Sequence, residues 1–103
     1  MAGSVIISTG VAVAFNSQGF HLVTERTRQK LDDSVIKEIY NPLDAGGMPF
    51  IDLKHADVAS VKAFHEATAE AFNEWRDENS VPFPEWQQLI RQLEADPRLA
   101  SDV

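Results

Sequence analysis

The chain has 103 residues, 44% of them apolar, no cysteine, and nine Lys and Arg against sixteen Asp and Glu, for a net charge of −7. That length reads as one domain, 1–103, with enough surface to bury for one core without staples. The missing cysteines exclude a disulfide framework and a thiolate metal site, and fit a reducing cytoplasm. With no basic run to release counterions from phosphates, direct binding of nucleic acid or of an anionic membrane is not expected, whereas a basic protein partner suits the acidic balance.

Met1 to Phe15 is apolar, but no Lys or Arg precedes the apolar run and Ser8-Thr9-Gly10 interrupts it, so it does not read as a signal peptide. No stretch approaches the ~18 apolar residues of a membrane span. Ser4 to Ser8 is short and β-branched, a strand, with Thr9-Gly10 as a turn or bulge. Val11 to Phe15 alternates Val, Ala, Val, Ala, Phe. Asn16-Ser17-Gln18-Gly19 is a cluster of turn formers, and Phe20 to Thr24 follows as a further apolar run. This pattern predicts a β-hairpin of 11–15 with 20–24, with His21 pointing away from the core face. Glu25 to Lys30 is polar throughout, either a first helical turn or a loop.

Asp32, Asp33 and Ser34 are candidate N-caps for a helix over Val35 to Tyr40, with a strand over 34–40 as the other reading. Asn41-Pro42 ends it, because the residue before proline avoids the helical region. Leu43 to Pro49 is a loop by composition. Phe50 to Leu53 is a short strand or a packed loop.

Asp57 to Glu78 is the main helix. It has no Gly or Pro, and at 1.5 Å per residue it runs about 33 Å. Val61, Phe64, Thr68, Phe72 and Trp75 step by three or four along one face, and Glu66, Glu70, Asn73, Glu74 and Asp77 along the other. Asn79 to Pro84 is a two-proline connector. Trp86, Leu89, Ile90 and Leu93 then mark a second amphipathic helix beginning near Pro84. Asp96-Pro97 ends it, and the residues from Arg98 on, 99–103 above all, are expected to fray.

The elements define an α+β fold: an N-terminal antiparallel hairpin or small sheet packed on two or three helices, the longest about 57–78. The expected core is Val61, Phe64, Phe72, Trp75, Trp86, Leu89, Ile90 and Leu93, with Val13, Phe15 and Leu22.

No motif fixes a chemistry. His65-Glu66 suggests the zinc-protease helix, but residue 69, where the second ligand must stand, is Ala. His55 and Asp57 are two candidate ligands without an assignable third, so no metal and no cofactor is expected. Neither a phosphate-binding glycine loop nor a nucleophile elbow occurs, and an enzyme is not expected. The remaining feature is the acidic stripe of Glu66, Glu70, Glu74 and Asp77. Like charges at i, i+4 disfavour a helix by a few tenths of a kcal/mol per pair. Such a stripe is either a solvated helix face or a surface that meets positive charge on a partner, with Asp32 and Asp33 as a possible extension.

Phe50 to Leu53, the helix from Phe64 to Trp75, and Trp86 to Ile90 closing on Asp96-Pro97-Arg98 together resemble a pattern found in small bacterial toxin-immunity proteins, of contact-dependent growth inhibition and related polymorphic toxin systems. The resemblance covers the C-terminal half. It implies a non-catalytic protein that blocks one cognate, basic toxin domain. Glu66, Glu70, Glu74, Asp77, Asp32 and Asp33 are then the expected contacts. The alternatives are a self-associating module, a homodimer formed through Phe50, Phe83 or Trp86, and a small ligand binder using His21, His55 or His65.

Overall fold

The computed structural model describes residues 2–100. Strands β1 (Ala2–Ser8) and β2 (Val11–Asn16) form an antiparallel hairpin around Thr9-Gly10. Gly10 has φ +80°, a conformation that costs glycine little and other residues more. Strand β3 (Phe50–Asp52) pairs parallel with the other edge of β1, giving the order β2-β1-β3. The two-residue period of a strand puts Val5, Ile7, Val13, Phe15 and Ile51 in the core and leaves Ala12 and Ala14 exposed.

The strand expected over 20–24 is instead part of helix α1 (Ser17–Arg28), so the hairpin pairs β2 with β1 and not with that segment. Two local features decide it. The Asn16 side chain accepts the Gly19 N–H at 2.7 Å and caps the helix. Phe20, Val23, Thr24 and Thr27 then fall at i, i+3, i+4 and i+7 and are all buried. Phe20 lies flat on the sheet at Gly3, where a Cβ would run into its ring.

Helix α2 (Asp33–Ile39) settles the helix-or-strand alternative, and a single turn, α3 (Asn41–Asp44), follows with Pro42 in its first turn. Tyr40, between them, is fully buried, and its hydroxyl donates to the Thr24 carbonyl at 2.7 Å. Burial pushes the Tyr40 phenol upward.

Helix α4 (Val58–Asn79) is the expected main helix. The Asp57 carboxylate accepts the Ser60 N–H at 2.8 Å, which caps it and lowers the Asp57 pKa. Helix α5 (Pro84–Glu94) lies against α4, and a short turn, α6 (Pro97–Ala100), ends the described chain.

One core joins these layers. Val61, Phe64, Phe72, Trp75, Trp86, Leu89, Leu93, Val13 and Phe15 are buried as expected, with Leu22 and Ile90 half-buried against them. The expected list omitted Val5, Ile7, Phe20, Val23, Ile39, Tyr40, Ile51 and Leu53, which are equally buried. At the centre, Phe72, Trp75, Phe83 and Trp86 pack with neighbouring ring centroids 5.2 to 6.3 Å apart. The Thr68 hydroxyl accepts the Trp86 indole N–H at 2.9 Å and the Thr27 hydroxyl at 3.0 Å. One small polar atom thereby satisfies donors from the helices on both flanks of α4.

Arg98 is anchored rather than frayed. Its guanidinium bonds the Asp96 carboxylate at 2.8 and 3.0 Å and donates to the carbonyls of Leu53 (2.6 Å), Ala56 (2.9 Å) and Ile7 (2.7 Å). The Ile7 carbonyl is available because the β1–β2 register shifts between Ile6 and Ser8, leaving Ile7 outside the ladder. Asp96 is buried, and the Arg98 guanidinium holds its carboxyl below the usual range. Leu99 packs against the core, and residues 101–103 of the expected tail lie outside the described residues.

Candidate protein-binding surface

Helix α4 exposes Glu66, Glu70, Glu74 and Asp77 along one side. From Glu66 to Asp77 this row spans about 16 Å at 1.5 Å per residue. Helix α1 runs antiparallel to α4, and it and the turn after it close one flank with ion pairs. Lys30 Nζ lies 3.3 Å from the Glu70 carboxylate and 2.7 Å from that of Glu74, and Arg26 lies 3.1 Å from Glu78. Hydrogen bonding to Glu74 and then Glu70 raises the Lys30 pKa.

Two of the four stripe residues are thus tied to a cation of the chain itself. Their side chains remain 64% and 53% exposed, so each still presents carboxylate oxygen outward. Among the described residues Glu66 and Asp77 take no ion pair.

Asp32 and Asp33 are exposed where α1 gives way to α2. Lys30 meets Glu70 and Glu74, and further along Glu38 meets the Ser60 hydroxyl at 3.3 Å. Asp32 and Asp33 lie in the chain between these two contacts with α4. Asp32 stands at the N-cap position without a side-chain cap bond, and Asp33 occupies the first turn, where a carboxylate suits the helix dipole.

Reading the sequence missed Arg26 and Lys30 as partners of this face. Arg26 lies in α1 and Lys30 in the turn that follows it, so the pair is legible only once 17–28 is seen as a helix.

The histidines do not share a cleft. His21 lines a depression with Phe20, Leu43 and Pro49, and His55 one with Glu38, Asn41 and Asp52. His65 lies 3.2 Å from Glu94 across the α4–α5 groove. No group of three or more His, Cys, Asp or Glu among the described residues is arranged to hold a metal. Trp86, offered above as a homodimer contact, is fully buried, and Phe50 and Phe83 are half-buried. Among the described residues no helix is long and apolar enough to cross a membrane.

An acidic helix face exposed on a small α+β fold is a surface suited to meeting another protein. The comparisons agree. No family model matches the chain. The immunity protein CdiI of Burkholderia pseudomallei is 31% identical over 104 residues, covering 96% of this chain and 95% of the relative. A chain from the solved complex of the CdiA-CT toxin from Burkholderia pseudomallei E479 with its cognate CdiI immunity protein superposes with a TM-score of 0.85 at 29% identity. That match covers 94% of this chain and 98% of the other. The chain therefore belongs to the CdiI immunity proteins. The resemblance seen in the C-terminal half extends over nearly the whole length.

Proposed function

We propose that the chain neutralises a CdiA-CT toxin domain of its own strain, in the cytoplasm, by binding it with the acidic face of α4. The observation that carries this reading is the likeness to CdiI along almost the full length of both chains. The role is binding and not catalysis. Glu66 and Asp77 are the primary contacts, because among the described residues neither takes an ion pair. Glu70 and Glu74 contribute their outward oxygens, and Asp32 and Asp33 extend the surface. The partner face that fits is basic. Acidic-to-basic docking speeds encounter and excludes like-charged proteins, and it weakens as salt screens it over a Debye length of about 8 Å at physiological ionic strength.

The test is titration of the same strain's CdiA-CT domain with the purified chain at low and moderate salt. A stoichiometric complex whose association slows with salt supports the reading. Absence of a complex at both salt concentrations overturns the toxin assignment, and a complex indifferent to salt overturns the acidic face.

A further inference from the structure

Every Asp, Glu, Lys and Arg of the chain stands at Glu25 or beyond. The β1–β2 hairpin and about the first two turns of α1 therefore carry no charged side chain other than His21 when protonated, on a protein of net charge −7.

Strand β2 lies at the edge of the sheet. The pairing of β1 shows which of the β2 backbone groups are free. Ser4 N–H donates to the Pro49 carbonyl, and the Ile6 carbonyl accepts Leu53 N–H, so Ser4 and Ile6 turn their polar groups toward β3. By alternation Gly3 and Val5 turn theirs toward Phe15 and Val13 of β2. Ala12 and Ala14, opposite Ile6 and Ser4, consequently aim N–H and C=O away from β1. Both residues are exposed, and among the described residues no backbone group of another element bonds them.

Natural edge strands are guarded against pairing by shortness, Pro, Lys, inward charge or a bulge. The opposite edge follows that rule: β3 has three residues, with Pro49 before it, Asp52 within it and Lys54 beyond. The sequence of β2, Val-Ala-Val-Ala-Phe-Asn, contains none of these guards.

We infer that β2 is a self-association edge. Two copies pair β2 antiparallel about a two-fold axis at Val13, making one continuous sheet. Ala12 then faces the partner subunit's Ala14, and Ala14 the partner subunit's Ala12, with backbone hydrogen bonds on both sides of the axis.

Charge selects a second copy as the occupant. Two molecules of net charge −7 repel where acidic surface meets acidic surface, and this edge lets them approach without it. The contact is also self-complementary, as an isologous dimer requires. No residue of the α4 stripe takes part, so each copy keeps its proposed toxin-binding face.

Sedimentation of the full chain from about 1 μM to about 1 mM tests this without toxin. The expected result is a monomer–dimer equilibrium, with Ala12 and Ala14 amides exchanging more slowly as concentration rises. Ala14→Pro removes an N–H that β1 does not use, and Ala12→Glu sets acidic groups on both sides of the axis. Each should weaken the dimer at least about tenfold, about 1.4 kcal/mol. Ala12→Glu remains informative if Ala14→Pro fails to fold. A monomer at every concentration, or a dimer that Ala12→Glu leaves unchanged, overturns the inference. A monomer whose toxin affinity falls with Ala12→Glu also overturns it, by assigning the edge to the toxin.

Discussion

Helix α4 is held on its two flanks by different chemistry. Against α5 the contact is apolar and aromatic: Phe72, Trp75, Phe83 and Trp86 share one cluster, and Trp86 is fully buried with its N–H satisfied by Thr68. Against α1 a buried threonine pair sits beneath a solvent-facing seam of ion pairs from Lys30 and Arg26. The first flank excludes water and fixes the fold. The second leaves carboxylates half in solvent, where they cost little to re-pair with another protein's cations. Stability and the proposed recognition thus fall on opposite sides of one helix.

Substitutions on the two flanks should separate accordingly. Trp86→Ala removes the largest fully buried side chain and one of the two donors to the Thr68 hydroxyl, and should cost about 3–5 kcal/mol in a urea titration. A loss below about 1 kcal/mol would mean that the α4–α5 contact is not the structural one. Thr68→Val keeps the volume but leaves the Trp86 N–H and the Thr27 hydroxyl without their shared acceptor. It should cost about 1–3 kcal/mol while toxin affinity stays at its original value.

The clamp at Asp96 and Arg98 gives a pH signature. The folded pKa of Asp96 lies below its ordinary 3.8, chiefly through the hydrogen bonds of Arg98. The stabilisation is therefore fully present above that ordinary value and is lost as pH falls through the lower, folded one. Asp96→Asn should reduce stability at neutral pH and flatten the acid limb of the unfolding midpoint against pH. An acid limb identical to that of the unaltered protein would remove the clamp from the account.

The smallest effect belongs to the α1 seam. Lys30→Met should leave stability nearly unchanged, because exposed ion pairs contribute little, and any difference should shrink in high salt. A loss comparable to that of Trp86→Ala would erase the distinction between the two flanks.

The same distinction explains what the sequence made legible. The α5 flank follows from residue spacing alone: Val61, Phe64, Phe72 and Trp75 on one helix and Trp86, Leu89 and Leu93 on the next are apolar at helical intervals. The hairpin was misread because Val11–Phe15 is apolar and alternating and therefore pairs equally well on paper with Ser4–Ser8 or with Phe20–Thr24. The Asn16 cap, which turns the second of these into a helix, resembles an ordinary turn in sequence. That error hid Arg26 and Lys30, which become neighbours of Glu78, Glu74 and Glu70 only when α1 is a helix. Arg98 was misread for a different reason. Its partners besides Asp96 are backbone carbonyls at Ile7, Leu53 and Ala56, and no side-chain pattern announces those. The acidic stripe itself was visible from periodicity, whereas the pairing of Glu70 and Glu74 with Lys30 required the tertiary structure.

The most direct measurement is the affinity of the Glu66→Lys, Asp77→Lys double variant for the same strain's CdiA-CT domain, measured beside its thermal midpoint. Both positions are exposed and carry no internal ion pair among the described residues, so the fold should hold with the midpoint nearly unchanged. The account predicts that binding weakens at least about a hundredfold, about 2.7 kcal/mol, with most of the salt dependence lost. Unchanged affinity in a folded double variant would contradict it, and would move the toxin-binding surface off the acidic face of α4.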